Sequence, residues 1–224
     1  MGKIKVGVIG VGSIADLGHL PYYQKNPNVE LVAFADPDLE RAQVMAKKYN
    51  VDKVYGSAEE MLDNEQLDAV SVCTPNGAHI QPAIAAVDQG LDVLVEKPLG
   101  VSYEECQELL KHVDEKGRIA MVGMTHRYRN EAAALKEFVE SGDLGNIYYA
   151  KAHILRRRGT PTGWFTDHSK SGGGPLMDIG VHALDLAWYL LGKPVAQSVS
   201  GYLVKGIGRY ETKMQSRWKS AVGY

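Results

Sequence analysis

The sequence predicts an α/β protein: a doubly wound parallel sheet with helices on both faces, followed by a shorter region of different architecture. Three observations carry this. Short apolar runs alternate with helix-period stretches through the first half of the chain. A glycine-rich turn follows the first of those runs at once. Past residue 125 the alternation stops.

Taken in order, Ile4–Ile9 reads as the first strand and Ser13–Asn26 as a helical stretch, with Pro21 expected to kink it or end it. Strand Val29–Ala35, helix Leu39–Tyr49, strand Lys53–Tyr55 and helix Ala58–Leu62 follow. Ala69–Cys73 is a continuous apolar strand, Ala78–Gln89 a helix, Asp92–Val95 a strand, Tyr103–Lys116 a helix and Ile119–Val122 a strand. This βα alternation requires a parallel sheet covered on both faces. A helix over Glu131–Glu140 comes next, and Asn146–Leu155 and Val195–Val204 read as long strands flanking one more helix. The pattern places a domain of residues 1–125 before a partial one of residues 126–224. Two strands do not make a stable sheet, so the second domain is expected either to be cut short or to be completed by a partner chain.

With 25 Lys+Arg against 27 Asp+Glu and a net charge of −2, the chain has no basic field for nucleic acid or an anionic membrane surface. Small neutral or anionic ligands suit it better. Cys73 and Cys106 lack metal-ligand spacing and read as reduced, structural thiols; no metal is expected. The chain enters a strand at once without a signal peptide, lacks an 18-residue apolar run, and has Val6 where an N-myristoylation pattern needs Ser or Thr. The expectation is a cytoplasmic protein.

Immediately after the first strand, Gly10-x-Gly12-x-x-Ala15 is the dinucleotide fingerprint with Ala in its third position, enclosing Ser13 and Ile14. Gly10 permits the tight turn, Gly12 lets a pyrophosphate approach the backbone, and Ala15 lets helix and strand pack closely. Amides at the helix start then face the phosphates. Asp36 ends the second strand, near the distance at which a carboxylate accepts from both ribose hydroxyls, and it would repel a 2′-phosphate. NAD is therefore expected over NADP. The plainer role for Asp36 is to cap the helix after Pro37.

Residues 172–192, GGGPLMDIGVHALDLAWYLLG, form the most informative stretch beyond the fingerprint. Asp178, His182, Asp185 and Tyr189 fall within about 60° of helical arc, while the rest of the circumference is apolar. Buried carboxylates need partners, so this stripe faces either a satisfied polar network or a functional cleft. Asp185, one turn past His182, is expected to fix its tautomer. Gly180 costs about 1 kcal/mol mid-helix relative to Ala. A close approach by cofactor, substrate or the first domain would explain it. His19, His79 and His126 read on their own as packing or loop histidines, and Arg156–Arg158 as a solvated edge. Trp164 and Phe165 are an aromatic pair placed to close over a substrate or to staple a loop.

Three stretches at strand C-termini, CTPNGAH (Cys73–His79), VEKPLG (Val95–Gly100) and the GGG helix, join the fingerprint GVGSIA in a resemblance to the Gfo/Idh/MocA oxidoreductases, from residue 4 to about residue 204. The resemblance implies a Rossmann domain followed by an α+β domain with an open antiparallel sheet, here truncated. It implies hydride transfer between NAD(H) and a secondary alcohol of a sugar, inositol or related polyol. It implies a homo-oligomer, dimer or tetramer, if the second domain is complete. Carried onto this chain, it makes Lys97 of Glu96-Lys97-Pro98 catalytic and places Asp178 and His182 in the pattern D-x-G-x-H. Thr74, Pro75, Asn76 and His79 would line the nicotinamide side of the cofactor, with Glu96 and Lys97 beside it. The chemistry agrees: alcohol oxidation needs a base near neutrality, which histidine supplies, and a cation beside the developing alkoxide, which Lys97 supplies. A catalytically inactive NAD-binding sensor and an NAD-recycling glycosidase are the competing readings.

Overall fold

The computed structural model describes residues 2–155 and 163–204. Arg156–Arg158 and the polar stretch at the end of the sequence lie outside them.

Six parallel strands form one sheet: β1 (Ile4–Ile9), β2 (Val29–Ala35), β3 (Lys53–Tyr55), β4 (Ala69–Val72), β5 (Asp92–Val95) and β6 (Ala120–Val122), in the spatial order β3-β2-β1-β4-β5-β6. The order reverses between β1 and β4, the switch point at whose carboxyl ends such sheets bind ligands. Both faces are covered, because the strands carry apolar side chains in both directions. On one face α1 (Leu20–Lys25) and α2 (Leu39–Tyr49) bury Leu20, Ala42, Met45 and Ala46 against Val6, Val8 and Phe34. On the other, α3 (Ala58–Asn64), α4 (Ile80–Asp88) and α5 (Tyr103–Lys116) bury Met61, Ala83, Val87 and Leu109 against Val70, Val72, Val93 and Val95. Local signals fix the ends: Ser102 and Glu105 form a reciprocal capping box at the start of α5, and Gly117 closes it in the left-handed conformation.

Pro21 acts where it was expected to, by an unexpected device. A π-helical turn over Ala15–His19 precedes α1, with the Leu20 amide bonding back to Ala15 O, and Pro21 then sits in the first turn of the helix, where its missing N–H costs nothing.

Beyond β6, a 3₁₀ turn (Thr125–Tyr128) leads into α6 (Asn130–Glu140); the short α7 (His168–Ser171) and a second π-helical turn (Leu176–Gly180) lead into α8 (Val181–Leu190). Asn146–Leu155 and Val195–Val204 do not form strands. Both run exposed and without ladder partners among the described residues. Alternation marks side chains suited to a sheet, but a strand is fixed only by hydrogen bonds to a neighbour. Among the described residues no helix is long and apolar enough to cross a membrane.

Candidate active site

The glycine loop is shaped for a ligand. Gly10 has φ +82°, and a Cβ there would lie 2.8 Å from the backbone of Cys73 and Thr74, so only glycine lets β1 turn against the end of β4. At Gly12 a Cβ would meet nothing within 4 Å. That glycine keeps open a space the protein itself does not fill, as a pyrophosphate cradle must. Ser13 begins the helical segment and Ile14 packs over Gly18 and the adjoining core. The residues present fit a dinucleotide.

Asp36, at the end of β2, is 3% exposed and engaged on both oxygens. Oδ2 accepts from the Val11 amide at 3.0 Å and from Arg41 Nε at 3.1 Å. Oδ1 accepts from the Asp38 amide at 2.9 Å and from Arg41 Nη2 at 2.7 Å. The cap of α2 is Asp38, which accepts from the Arg41 amide, so the capping role considered for Asp36 belongs to its neighbour. The hydrogen bonds to Asp36 outweigh desolvation and raise the Arg41 guanidinium above its ordinary pKa.

The loops after β4 and β5 are tied to each other and to the second region. Thr74 Oγ1 donates to Ala78 O, and Pro75 starts the 3₁₀ turn Asn76–Ala78. Asn76 is buried and its amide donates to Ser171 O at 2.9 Å, while a Cβ at Gly77 would press on Ser169 O at 3.2 Å. These groups are occupied by the second region. His79 corrects the resemblance: it is 1% exposed, with Nδ1 2.7 Å from Pro98 O and Nε2 2.9 Å from Thr74 O. It ties the two loops together, and both ring nitrogens are taken up by backbone carbonyls. Burial lowers its pKa, against which the two carbonyls and Glu96 push upward.

Glu96 likewise points inward, accepting from the Lys97 amide at 3.1 Å and facing His19 Nε2 at 2.8 Å. Burial alone would lower the His19 pKa, but Cys73 and Glu96 outweigh it and raise it to about 11. His19 carries the positive charge of a buried ion pair, and Glu96 is held low as its partner despite its own burial. No local pattern signals this pair, whose members are 77 residues apart.

Lys97 faces the other way. Its Nζ donates to Asp178 O at 2.5 Å and to Asp178 Oδ1 at 3.2 Å, bringing the end of β5 against the π-helical turn that precedes α8. His182, one turn on, is 7% exposed, and its Nδ1 is buried without a hydrogen-bond partner. Its ring stacks on His126, with centroids 4.3 Å apart and planes at 17°. Burial first, then the positive charges of His126 and Lys97, lower its pKa to about 4, with Glu96 and Asp178 opposing. This base lies well below the neutral range anticipated for it. Lys97, from the end of β5, holds the turn that leads into His182, and its charge acts on the His182 ring.

The rest of the stripe is structural. Asp185 does not touch His182; its carboxylate grips the Arg127 guanidinium through both oxygens, with Nε at 2.7 Å. Arg127 and Lys136 lie over the Tyr189 ring at 5.0 and 5.1 Å. At Gly180 a Cβ would meet Leu176 Cδ1 at 2.9 Å, the end of an exposed side chain that can move aside, so packing within the helix does not demand a glycine there. Trp164 and Phe165 stack on each other, with centroids 3.9 Å apart. His126 and Arg127, just past the end of β6, supply the contacts to His182 and Asp185 that the helical period of the stripe does not reveal.

A glycine-rich turn at the switch point of a doubly wound parallel sheet defines a dinucleotide-binding Rossmann fold. The chain belongs to the Gfo/Idh/MocA family. The family description "Oxidoreductase family, NAD-binding Rossmann fold" matches residues 4–124, and the GFO/IDH/MocA C-terminal domain matches residues 132–215. The chain is 39% identical over 207 residues, 92% of its length, to D-glucoside 3-dehydrogenase of Escherichia coli K12, and 35% identical over 205 residues, 89% of its length, to scyllo-inositol 2-dehydrogenase (NAD(+)) of Bacillus subtilis. It spans 59% and 57% of those two relatives. Among solved structures, GenD2 from gentamicin A biosynthesis in complex with NAD superposes with TM-score 0.77 at 27% identity, covering 87% of this chain and 55% of that one. Myo-inositol 2-dehydrogenase from Lactobacillus plantarum superposes with TM-score 0.76 at 27% identity, covering 85% and 57%.

Proposed function

We propose that the chain carries the cofactor site and catalytic pair of an NAD(H)-dependent dehydrogenase that oxidises a secondary alcohol of a sugar, inositol or related polyol. The observation that carries the reading is the meeting of Lys97 and Asp178 beside a buried His182 whose Nδ1 has no partner. Named relatives that act on D-glucoside and scyllo-inositol support the substrate class. Asp36 favours NAD.

When bound, the nicotinamide supplies the hydride acceptor. Lys97 places its ammonium where negative charge grows on the substrate oxygen. The neutral His182 ring accepts the hydroxyl proton, and its low pKa means that it is deprotonated throughout the physiological range. Asp178 holds the Lys97 ammonium in place. The glycine loop and its helix start hold the phosphates.

A panel of sugars, inositols and polyols assayed for NADH formation tests the reading, with Lys97→Ala and His182→Ala alongside. Formation of NADH from at least one substrate, lost in both variants while NADH still binds, supports it. Turnover unchanged in both variants, or no oxidation of any substrate by a chain that binds NADH, overturns it. The same reading predicts a cytoplasmic protein and a homo-oligomer, read out by fractionation and by light scattering.

A further inference from the structure

We propose that His19 is a positioning residue for Lys97: through the buried Glu96 carboxylate it fixes the main chain from which the lysine leaves β5, and with it the turn that brings His126 against His182. The inference rests on the dehydrogenase reading above. It gives the buried His19–Glu96 pair a task in turnover as well as in folding.

Two charges inside a protein are a poor way to gain stability. Each is expensive to desolvate, and an apolar pair of similar volume often serves the fold as well or better. His19 and Glu96 are both buried, with Nε2 2.8 Å from Oε1. What an apolar pair could not do is accept hydrogen bonds. The ladder of β5 runs out at Glu96, whose amide donates to Val72 O at 3.0 Å. The next amide, that of Lys97, donates to Glu96 Oε2 at 3.1 Å, so the carboxylate holds the peptide on which the lysine turns away towards Asp178.

The same carboxylate touches two further segments. A Cβ at Gly123 would lie 3.3 Å from its carbon and from both its oxygens, so the main chain just past β6 lies against it. The Gly123 amide donates to Val95 O at 2.8 Å, and Gly123 O accepts from the Thr125 amide at 2.9 Å, where the turn carrying His126 begins. His19 belongs to a third segment. It ends the π-helical turn that follows the glycine loop, and within that turn the Asp16 amide donates to Gly12 O at 3.1 Å. One carboxylate is thus shared by the helix start of the glycine loop, the strand end that bears Lys97 and the turn that floors His182. The imidazole pins Oε1; without it the carboxylate is free to turn, and the Lys97 peptide bonded to Oε2 turns with it. A displacement of about 1 Å at a reacting group costs on the order of a hundredfold in rate.

The test breaks the pair in three ways, with thermal melts showing that each variant is folded: His19→Leu; His19→Gln, which keeps a donor without the charge; and His19→Leu combined with Glu96→Met, which exchanges the ion pair for apolar volume. The first readout needs no nucleotide. An acetylating reagent, followed by mass spectrometry, is expected to label Lys97 roughly threefold faster or more in His19→Leu and in the double variant, where its hold on Asp178 slackens, and at close to the wild-type rate in His19→Gln. Lys111, exposed on α5, is the unchanged reference. The second readout is single-turnover oxidation of a polyol found by the panel. His19→Leu is expected to lose about 10- to 100-fold while NADH binding holds within severalfold, and the loss should vanish in a Lys97→Ala background. Lys97 labelled at the wild-type rate in the variants that lack the imidazole, or a loss as large with Lys97→Ala as without it, overturns the proposal and leaves the dehydrogenase reading standing. Should His19→Leu fail to fold, the double variant decides the matter. Wild type that oxidises no polyol overturns the dehydrogenase reading, and the labelling comparison then decides by itself whether His19 holds Lys97.

Discussion

His126 lies flat against His182, ring centroids 4.3 Å apart, so the proposed base has another imidazole as its floor. Burial and the nearby positive charges lower the His182 pKa to about 4. Its neutral form therefore persists to unusually low pH. The acid limb of the pH–rate profile is expected below about pH 5, well under that of an ordinary histidine near 6.5. His126→Phe keeps the stack and removes the charge, and should move that limb upward without unfolding the chain. An NMR titration of His182 in the two proteins reads the same shift independently of turnover.

Lys97→Ala removes the cation and the ion pair it makes with Asp178. The expected loss in kcat is about 10²–10³, the scale for deleting a preorganised electrostatic group, with NADH affinity changed only severalfold. Single-turnover measurement alongside nucleotide titration separates the two effects.

The two loop glycines should fail in opposite ways. Gly10→Ala combines a left-handed φ of +82° with a backbone clash at 2.8 Å, and is expected to destabilise the fold by about 2 kcal/mol or more. Gly12→Ala meets open space and should melt like wild type while binding NADH at least tenfold more weakly, its methyl filling the phosphate cradle. Thermal melts and nucleotide titrations on both variants check the contrast.

The His19–Glu96 pair gives stability a definite pH dependence. The His19 pKa is raised from 6.5 to about 11 in the folded chain. The native state therefore holds a proton that the unfolded state releases above pH 6.5. The pair's contribution is full below pH 6.5 and declines as pH rises from there towards 11. Melting temperature should fall across that window in wild type and flatten in His19→Gln. His19→Ala, which strands the Glu96 carboxylate in the interior, should cost about 3 kcal/mol.

Most of the Rossmann layer was legible because its strands are apolar runs bounded by turns, and β1, β2, β3 and β5 begin and end where the pattern places them. The local chemistry of the glycine loop was equally readable, since Gly10 and Gly12 act through backbone geometry that their own sequence fixes. What the sequence hid is tertiary. The partner of Asp185 is Arg127, delivered by the end of a distant strand. Helical period alone assigned Asp185 to His182; both lie in the regular helix α8, and the assignment fails because the Arg127 fork takes the carboxylate. Asp36 carries a correct position and an incomplete meaning, because Arg41 reaches it only once α2 has formed. Asn146–Leu155 and Val195–Val204 show the converse, sheet-like sequence without a neighbouring strand among the described residues.

Asn76 and Lys97 stand at the ends of adjacent strands, and each grips a main-chain carbonyl of the second region, Ser171 O and Asp178 O. One such anchor would leave a swivel; a pair fixes tilt as well as separation. The imidazole of His182 thus rides on the parallel sheet as a jewel rides in its bezel, and its aim is governed by β4 and β5. Substitutions beneath those two strands, remote from any reacting atom, would be felt at the bond being broken.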